Sequence, residues 1–362
     1  MKKLLKVVLS SLLVLSLTAC GDKPEVSVVK DAQEVYGCNT LNIFNWGEYI
    51  GEDVIRNFEQ MYNAKVNYDY FDSNEMMYTK LMGGSSYDIL VPSDYMIERL
   101  ILEDMLQPID KEIVTNLDVL TEGVKNLPFD PDNTYSVPYL WGTVGIVYNK
   151  NNVDIKELEE KGYNILLDEK YKGKVYMYDS ERDGFMVAFK ALGYSMNTED
   201  QDEINEAYEW LIKSKEAVEP AYVLDEIIDA MINGDRDIAI MYSGDATYVI
   251  SENPDMDYFA PLSGTNLWSD SLVIPKNASC PGLANEFINY TLTYEAAYDT
   301  SEFVGYTSVN DEVLKELSSE DGTYGDIDAY IPRTDNEFDE VFKYNEVLKK
   351  ELSDLWIKVK NY

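Results

Sequence analysis

The chain has 362 residues and a formal net charge of −37, which favours cationic ligands and disfavours nucleic acid, phosphate groups and anionic lipid. It contains no histidine, and this excludes Ser-His-Asp and Cys-His catalysis, histidine-based zinc sites and histidine pH switches. The three cysteines form no Cys-x-x-Cys motif. We expect no metal, no cofactor and no nucleic-acid partner, and we expect the protein to act as a monomer.

The amino terminus predicts export. Lys2, Lys3 and Lys6 precede an apolar run over residues 7–17, which is too short to span a membrane as a helix. This pattern predicts a secretory signal peptide over residues 1–19. Because it ends on a cysteine, it resembles the lipobox of bacterial lipoproteins, which implies cleavage before Cys20 and lipidation of that residue. Residues 20–38 would then be a polar tether at the outer face of the cell membrane, or in the periplasm; an ordinary secreted or membrane-anchored protein is the alternative.

Strands and helices alternate along the rest of the chain, which predicts an α/β protein with mainly parallel sheets. The first part predicts strands over residues 41–45, 66–70 and 87–91 and helices over 54–62, 73–82 and 95–105. A cluster of Pro, Asp and Asn at residues 128–136 predicts a turn. The apolar stretch 137–148 then predicts extended chain that leads from one lobe into the next.

A second set of units follows. It predicts strands over residues 175–178, 238–241 and 271–275. It also predicts four helices: one that ends at Leu192, one over residues 225–232, one that begins at Gly244 and one over residues 337–359. The length suits two lobes better than one small core. Cys38 lies just before the first strand and Cys280 just after a later one, so the sequence leaves open whether they form a disulfide or stay unpaired.

The loops beside the strands carry an unusual number of rings and acids. In the segment from Trp46 to Tyr49, Glu48 lies between two aromatic residues at the end of a strand. A carboxylate pairs with an ammonium group, and aromatic rings attract cations through their faces. Similar loops are Ser93-Asp94-Tyr95, residues 179–183, residues 242–245 and Trp268-Ser269-Asp270. Helix capping explains any single loop, but their recurrence beyond strand ends predicts a site for an organic cation.

Several segments, in order and spacing, resemble the spermidine/putrescine-binding proteins of bacterial ABC transporters over nearly the whole chain from about Leu41. They are residues 44–49, 87–93, 128–131, 137–143, 268–275 and 305–306. The resemblance implies a type II, two-lobed periplasmic-binding-protein fold, with a mainly parallel sheet and flanking helices in each lobe and a ligand cleft between them. It places lobe 1 at residues 39–146 and 268–310 and lobe 2 at 147–267 and 311–362, with crossings near 145–150 and 260–268.

The resemblance also implies a function. The protein would be the substrate-binding component of a polyamine importer, which captures spermidine or putrescine by hinge closure and delivers it to the ABC permease subunits. It would not be an enzyme. The alternatives are the same scaffold with another cationic or small organic solute, a sensor role, and a hydrolase that uses two carboxylates at a defined separation.

The residues that match the family's ligand site are of three kinds: aromatic rings that line the ligand (aromatic walls), hydroxyl groups and acids. Aromatic walls are expected from Trp46, Tyr49, Tyr95, Trp268 and Tyr306, a hydroxyl from Ser93, and amine-pairing acids from Glu48, Asp183 and Asp270. Ser180 stands where the family often has an aspartate, and Tyr242 where a tryptophan is common. These two departures leave the choice between spermidine and putrescine open, and the register near Asp339 assigns no role to that region.

Overall fold

The computed structural model describes residues 27–362, so the predicted signal peptide, Cys20 and the start of the predicted tether lie outside the described residues. The strands are β1 (Thr40–Trp46), β2 (Lys65–Phe71), β3 (Ile89–Leu90), β4 (Leu106–Gln107), β5 (Ser136–Asn149), β6 (Val175–Tyr178), β7 (Ala221–Val223), β8 (Ile238–Tyr242), β9 (Met256–Phe259), β10 (Leu267–Pro275) and β11 (Thr307–Ser308).

Helices flank these strands. They are α1 (Ala32–Tyr36), α2 (Val54–Tyr62), α3 (Asn74–Met82), α4 (Asp94–Leu102), α5 (Ile155–Lys161), α6 (Glu181–Leu192), α7 (Gln201–Val218), α8 (Glu226–Ile232), α9 (Ser243–Glu252), α10 (Pro281–Thr291), α11 (Tyr294–Val304), α12 (Asp311–Leu317) and α13 (Glu346–Asn361). Within residues 27–362, none of them combines the length and the apolar character that crossing a membrane requires.

The strands are ordered β2-β1-β3-β10-β5-β8-β6-β7. β1 pairs in parallel with β2 and β3, and β6 pairs in parallel with β7 and β8, whereas β5 and β10 run antiparallel to their neighbours. The prediction of parallel strands therefore holds for the outer strands and not for the two long central ones. We call the half with β1–β3 and β10 the first lobe and the half with β6–β8 the second lobe.

Strand β5 joins the two lobes. Its residues up to Thr143 pair with β10, and those from Val144 pair with β8 and β9. Every residue of β5 except Asn149 is buried, because the strand lies in the middle of the sheet. The stretch predicted over residues 137–148 is thus an extended segment that leads from one lobe into the other. Each lobe has its own core, around Phe58 and Phe287 in the first and around Phe185 and Trp210 in the second.

Four predicted boundaries were wrong, and one of them is the start of the strand predicted over residues 271–275, which begins at Leu267. The strand predicted over residues 87–91 covers only Ile89–Leu90, and the helix predicted to reach Met105 ends at Leu102. The carboxyl-terminal helix begins at Glu346, not near residue 337. The backbone of Glu340 instead bonds to Thr265 and Leu267, so pairing beside β10 overrides the helical periodicity of the sequence at this point.

The amino-terminal segment is fixed to the first lobe. Cys38 and Cys280 form a disulfide with their Cα atoms 6.0 Å apart, which decides between the two open alternatives. Helix α1 falls inside the predicted tether, and the side chains of Lys30 and Tyr36 both bond to Glu286 on α10. Of the predicted tether, the part from about residue 29 onward therefore packs on folded protein.

Replacing both cysteines by alanine is expected to lower the free energy of unfolding by about 2–5 kcal/mol, because the disulfide closes a loop between residues 242 positions apart. Urea denaturation of the double variant and of the unmutated protein, each with and without reductant, measures this. Equal unfolding midpoints in oxidising buffer would contradict a stabilising disulfide. Ligand affinity should not change, since the disulfide lies outside the cleft.

Candidate functional site

The candidate site lies in the cleft between the lobes, where strand ends of both lobes meet β5 and β10. Trp46 ends β1, and its indole N–H donates to the carbonyl oxygen of Val91 at 2.9 Å. Its ring packs against Phe71 at the end of β2, with 4.5 Å between the centroids. The parallel pairing of the strands thus fixes one half-buried ring at the edge of the cleft.

Asp270 is the acid of the first lobe. It lies inside β10, where the sequence predicted it just before the strand, and it is 6% exposed. The Tyr49 hydroxyl donates to its Oδ2 at 2.9 Å, and Ser93 forms a β-bridge with it. Burial raises the pKa of Asp270 to about 6, although the hydrogen bonds from Ser93 and Tyr49 oppose the rise.

Asp183 is an acid of the second lobe, in the first turn of α6. The Tyr242 hydroxyl donates to its Oδ2 at 2.6 Å. Burial raises the pKa of Asp183, and the bonds from Tyr242 and Ser180 oppose that rise. The Ser180 hydroxyl oxygen accepts the backbone N–H of Asp183 at 3.3 Å, so Ser180 is the amino-terminal cap of α6. Ser180 therefore shapes the site through the helix on which Asp183 lies.

Asp245, in the first turn of α9, is a site residue that the sequence analysis did not select. The Tyr178 hydroxyl and the Tyr306 hydroxyl both donate to its carboxylate, the latter at 2.7 Å. Burial raises the pKa of Asp245 to about 6. The sequence could have indicated Asp245, because it is the last residue of the loop at residues 242–245, which carries a ring and an acid. The family resemblance selected Tyr242 in that loop instead.

Aromatic rings connect the three acids. Trp268, on β10, meets the edge of Tyr306 at 5.3 Å and of Tyr242 at 6.2 Å between centroids. Tyr306 in turn lies 5.4 Å from Tyr49. Trp268 can approach β5 this closely because residue 142 is glycine: a Cβ there would lie 2.6 Å from the Trp268 ring. The rings and acids thus form one continuous lining across both lobes.

Glu48 and Tyr95, two of the predicted ligand contacts, have surroundings that differ from those of the three acids. Glu48 is exposed, outside the buried lining, and its backbone has a positive φ of 49°. Burial is the main cause that raises the pKa of Asp225, and the charge of Glu48 adds to that rise. The Tyr95 ring is covered by the guanidinium of Arg182, whose carbon lies 3.6 Å from the ring centroid. The Asp339 carboxylate accepts bonds from Arg333 and so belongs to a structural ion pair.

The lining that these acids and rings form is anionic and partly apolar. In residues 27–362, no Lys or Arg forms an ion pair with Asp183, Asp245 or Asp270. Their hydroxyl partners stay neutral, since burial raises the pKa values of Tyr49, Tyr178, Tyr242 and Tyr306 well above the usual range. Buried carboxylates without a counter-charge are costly, so this lining is suited to a ligand that brings positive charge. The described residues contain no cluster of His, Cys, Asp or Glu that could hold a metal ion.

Comparison with known proteins agrees with this geometry. The family of bacterial extracellular solute-binding proteins matches residues 53–324. The spermidine/putrescine-binding periplasmic protein of Escherichia coli K12 is 36% identical over 284 residues, which are 78% of this chain and 81% of that protein. Spermidine/putrescine-binding periplasmic protein 1 of Haemophilus influenzae is 30% identical over 323 residues, 88% of this chain and 89% of that protein.

Solved structures are similar over most of the chain. The crystal structure of the spermidine/putrescine ABC transporter substrate-binding protein PotD from Streptococcus pneumoniae is 34% identical, with a TM-score of 0.78 over 90% of this chain and 99% of that one. A putative spermidine/putrescine ABC transporter protein from Listeria monocytogenes is 36% identical, with a TM-score of 0.77 over 89% and 99%. These similarities confirm the predicted two-lobed α/β fold.

Proposed function

The chain belongs to the bacterial extracellular solute-binding proteins, and from this premise we propose that it is the substrate-binding component of a polyamine ABC importer. The observation that carries the proposal is the lining of three buried carboxylates, Asp183, Asp245 and Asp270, each bonded by tyrosine hydroxyls. A polyamine carries two or more ammonium groups joined by methylene chains, so it supplies separate positive charges to separate acids. The relatives named above are spermidine/putrescine-binding proteins, which supports the same ligand class.

Each lobe would contribute carboxylates and tyrosines to the binding of the ligand. We propose lobe bounds close to residues 39–146 and 268–310 for the first lobe and 147–267 and 311–362 for the second. The first lobe would then present Asp270 with Tyr49, and the second Asp183 with Tyr242. Asp245 takes one bond from each lobe, from Tyr178 and from Tyr306. Trp268 and the tyrosine rings would cover the methylene chains and exclude water. Closure of the lobes about β5 and the segment before β10 would complete the site as a hinge motion.

The protein's relatives are periplasmic solute-binding proteins, and the remaining assignments follow from that role. The closed lobes would deliver the polyamine to the permease subunits without any chemical step. Lipidation of Cys20 would hold the protein, as a monomer, at the membrane face where those subunits lie. The few residues between Cys20 and residue 29 would keep the cleft near the membrane surface.

Affinity for a polyamine is expected to fall as the pH drops below about 6. The pKa values of Asp245 and Asp270 lie at about 6 because both are buried, while primary amines stay protonated throughout this range. Ligand requires the ionised carboxylates, so protons compete with it below pH 6 and affinity levels off above pH 7. If both acids must ionise, the dissociation constant rises by up to about 100-fold per pH unit well below pH 6. Titrations from pH 5 to 8 measure this, and a constant affinity over that range would contradict it.

Native mass spectrometry of the unlipidated protein tests the proposed function without a choice of ligand. The chain from residue 21, purified without added polyamine, should carry one bound molecule with the mass of putrescine or spermidine. The adduct should be absent from the Asp270→Asn variant. A stoichiometric adduct of another mass would identify a different solute and overturn the polyamine assignment.

A further inference from the structure

The chain passes between the lobes through β5 and again through residues 260–267, which lead from β9 into β10 and which we call the second crossing. The second crossing is bonded to β5 at Val144. The N–H of Val144 donates to the carbonyl oxygen of Asn266 at 3.3 Å, and the hydroxyl of Thr265, which is fully buried, donates to the carbonyl oxygen of Val144. At Val144, β5 changes its partner from β10 to β8. The crossings therefore meet where the sheet passes from one lobe to the other.

Residues 333–341, which precede α13, lie along the second crossing, and we call them the brace. The Arg333 guanidinium donates to the carbonyl oxygens of residues 260–261 at 2.7 and 2.6 Å, and it forms two hydrogen bonds of 2.7 Å with the Asp339 carboxylate. Asp339 Oδ1 also accepts the backbone N–H of Thr265 at 2.9 Å. The Asp339 side chain is 3% exposed. One largely buried ion pair thus holds the backbone of the second crossing.

Backbone pairing continues from this ion pair. The N–H of Glu340 donates to the carbonyl oxygen of Thr265 at 2.9 Å, and the N–H of Leu267 donates to the carbonyl oxygen of Glu340 at 2.7 Å. Gly264 permits the close approach, because it has a φ of 105° and a Cβ there would lie 2.1 Å from the carbonyl oxygen of Phe338. The brace therefore pairs with the second crossing as a short parallel strand would.

The brace is fixed to the second lobe. The Glu340 carboxylate forms an ion pair with Lys190 of α6, whose side chain is 3% exposed. The Asn197 side chain, which follows α6, donates to the carbonyl oxygen of Val341 at 3.0 Å. Helix α6 carries Asp183 in its first turn. The second crossing is thus linked through the brace to the helix that presents one of the site's acids.

The chain touches the first lobe beyond the brace. Phe342 packs against apolar clusters of both lobes, and the N–H of Tyr344 donates to the Glu98 carboxylate on α4 at 2.6 Å. These contacts follow Val341, so opening of the cleft can separate them while the brace stays paired with the second crossing.

We propose that the brace makes the second crossing a rigid part of the second lobe, so that the lobes bend along the line from Thr143 to Leu267. These two residues pair with each other at the end of the β5–β10 ladder, so the bends of both crossings fall side by side, as a single hinge requires. The helix that carries Asp183 then moves with the second crossing as one body. This gives a role to the region near Asp339. The inference rests on the proposed closure of the lobes but not on the identity of the ligand.

Amide hydrogen exchange, measured by NMR on the unmutated protein and on Asp339→Asn, tests whether the brace acts as one unit. The N–H of Thr265 bonds to the Asp339 side chain, whereas the N–H of Leu267 bonds to the backbone of Glu340. Asp339→Asn should raise exchange at both amides by about tenfold or more, because the brace separates as a unit. Calorimetry should show putrescine and spermidine weakened by the same factor of about three to ten, because the freed crossing must be ordered when the lobes close.

A control variant is available within the second lobe. Asp168 accepts a bond from Lys161 at 2.6 Å and the backbone N–H of Lys170 at 3.1 Å, so Asp168→Asn removes an ion pair outside the brace. It should leave both exchange rates and both affinities unchanged. If Asp339→Asn does not fold by circular dichroism, Arg333→Lys keeps the positive charge and removes the guanidinium's paired donors.

The outcomes separate this inference from the proposed function. If Asp339 supports only its own hydrogen bonds, exchange will rise at Thr265 alone, and this would overturn the inference while polyamine binding stands. Raised exchange at both amides with unchanged affinities would show that the brace has no effect on closure, and it would also overturn the inference. If the folded, unmutated protein binds neither polyamine, the proposed function fails, and exchange at Leu267 still decides whether the brace is one unit.

Discussion

Replacing Asp270 by asparagine is expected to weaken polyamine binding by about 2–5 kcal/mol, which is roughly a 30-fold to 5000-fold rise in the dissociation constant. Asp270 is buried in β10 and its Oδ2 accepts the Tyr49 hydroxyl, so the substitution removes a charge and leaves the site geometry largely in place. The loss is large because one ammonium of the ligand would be buried without a counter-charge. Isothermal titration calorimetry at pH 7.5 measures it.

Asp130→Asn is the matched control for that experiment. Asp130 is also 6% exposed, but its carboxylate accepts the backbone N–H groups of residues 134–136 and forms no hydrogen bond with the tyrosines of the site. The control is expected to lower thermal stability and to leave affinity unchanged. An affinity of Asp270→Asn within threefold of the unmutated protein would show that Asp270 does not pair with an amine.

Asp245→Asn should have an effect of similar size, again about 2–5 kcal/mol. Asp245 receives hydroxyls from both lobes, from Tyr178 and from Tyr306, so it is the acid that closure brings into contact with the opposite lobe. In the variant, one fewer protonation competes with ligand binding. The affinity should therefore fall by at most about tenfold per pH unit below pH 6. A matched control is Asp257→Asn, because Asp257 also accepts a tyrosine hydroxyl, from Tyr148 at 3.3 Å, but lies outside the cleft. Unchanged affinity together with an unchanged pH slope would remove Asp245 from the site.

The local elements were predictable because short-range signals specify them. The helix predicted over residues 73–82 is α3, and Ser73 caps it with its hydroxyl oxygen, which accepts the backbone N–H of Met76. Strands β1, β6 and β8 and the long β5 follow from their apolar runs. The recurrence of rings and acids beside strand ends indicated the loops at residues 179–183 and 268–270, and the family resemblance selected Asp183 and Asp270 in them as candidate acids.

The rest depends on contacts between residues that are distant in sequence. Tyr49 and Asp270 are 221 positions apart, and Tyr306 and Asp245 are 61 apart. No local pattern shows that Asp245 receives two hydroxyls, or that Arg182 covers Tyr95 from the opposite lobe. Glu48 was expected in the site because it lies between two rings in sequence, but its side chain is exposed and its backbone is in the left-handed conformation. The sequence predicted that these residues lie near strand ends, but it did not predict the direction of their side chains.

The claim that the cleft binds a polyamine is tested most directly by calorimetric titration of the unlipidated protein, beginning after Cys20, with spermidine, putrescine and a neutral sugar. The protein should be unfolded and refolded first, so that no carried ligand blocks the cleft. The account predicts one-to-one binding of a polyamine and no binding of the sugar. Well-folded protein that binds neither polyamine would contradict it.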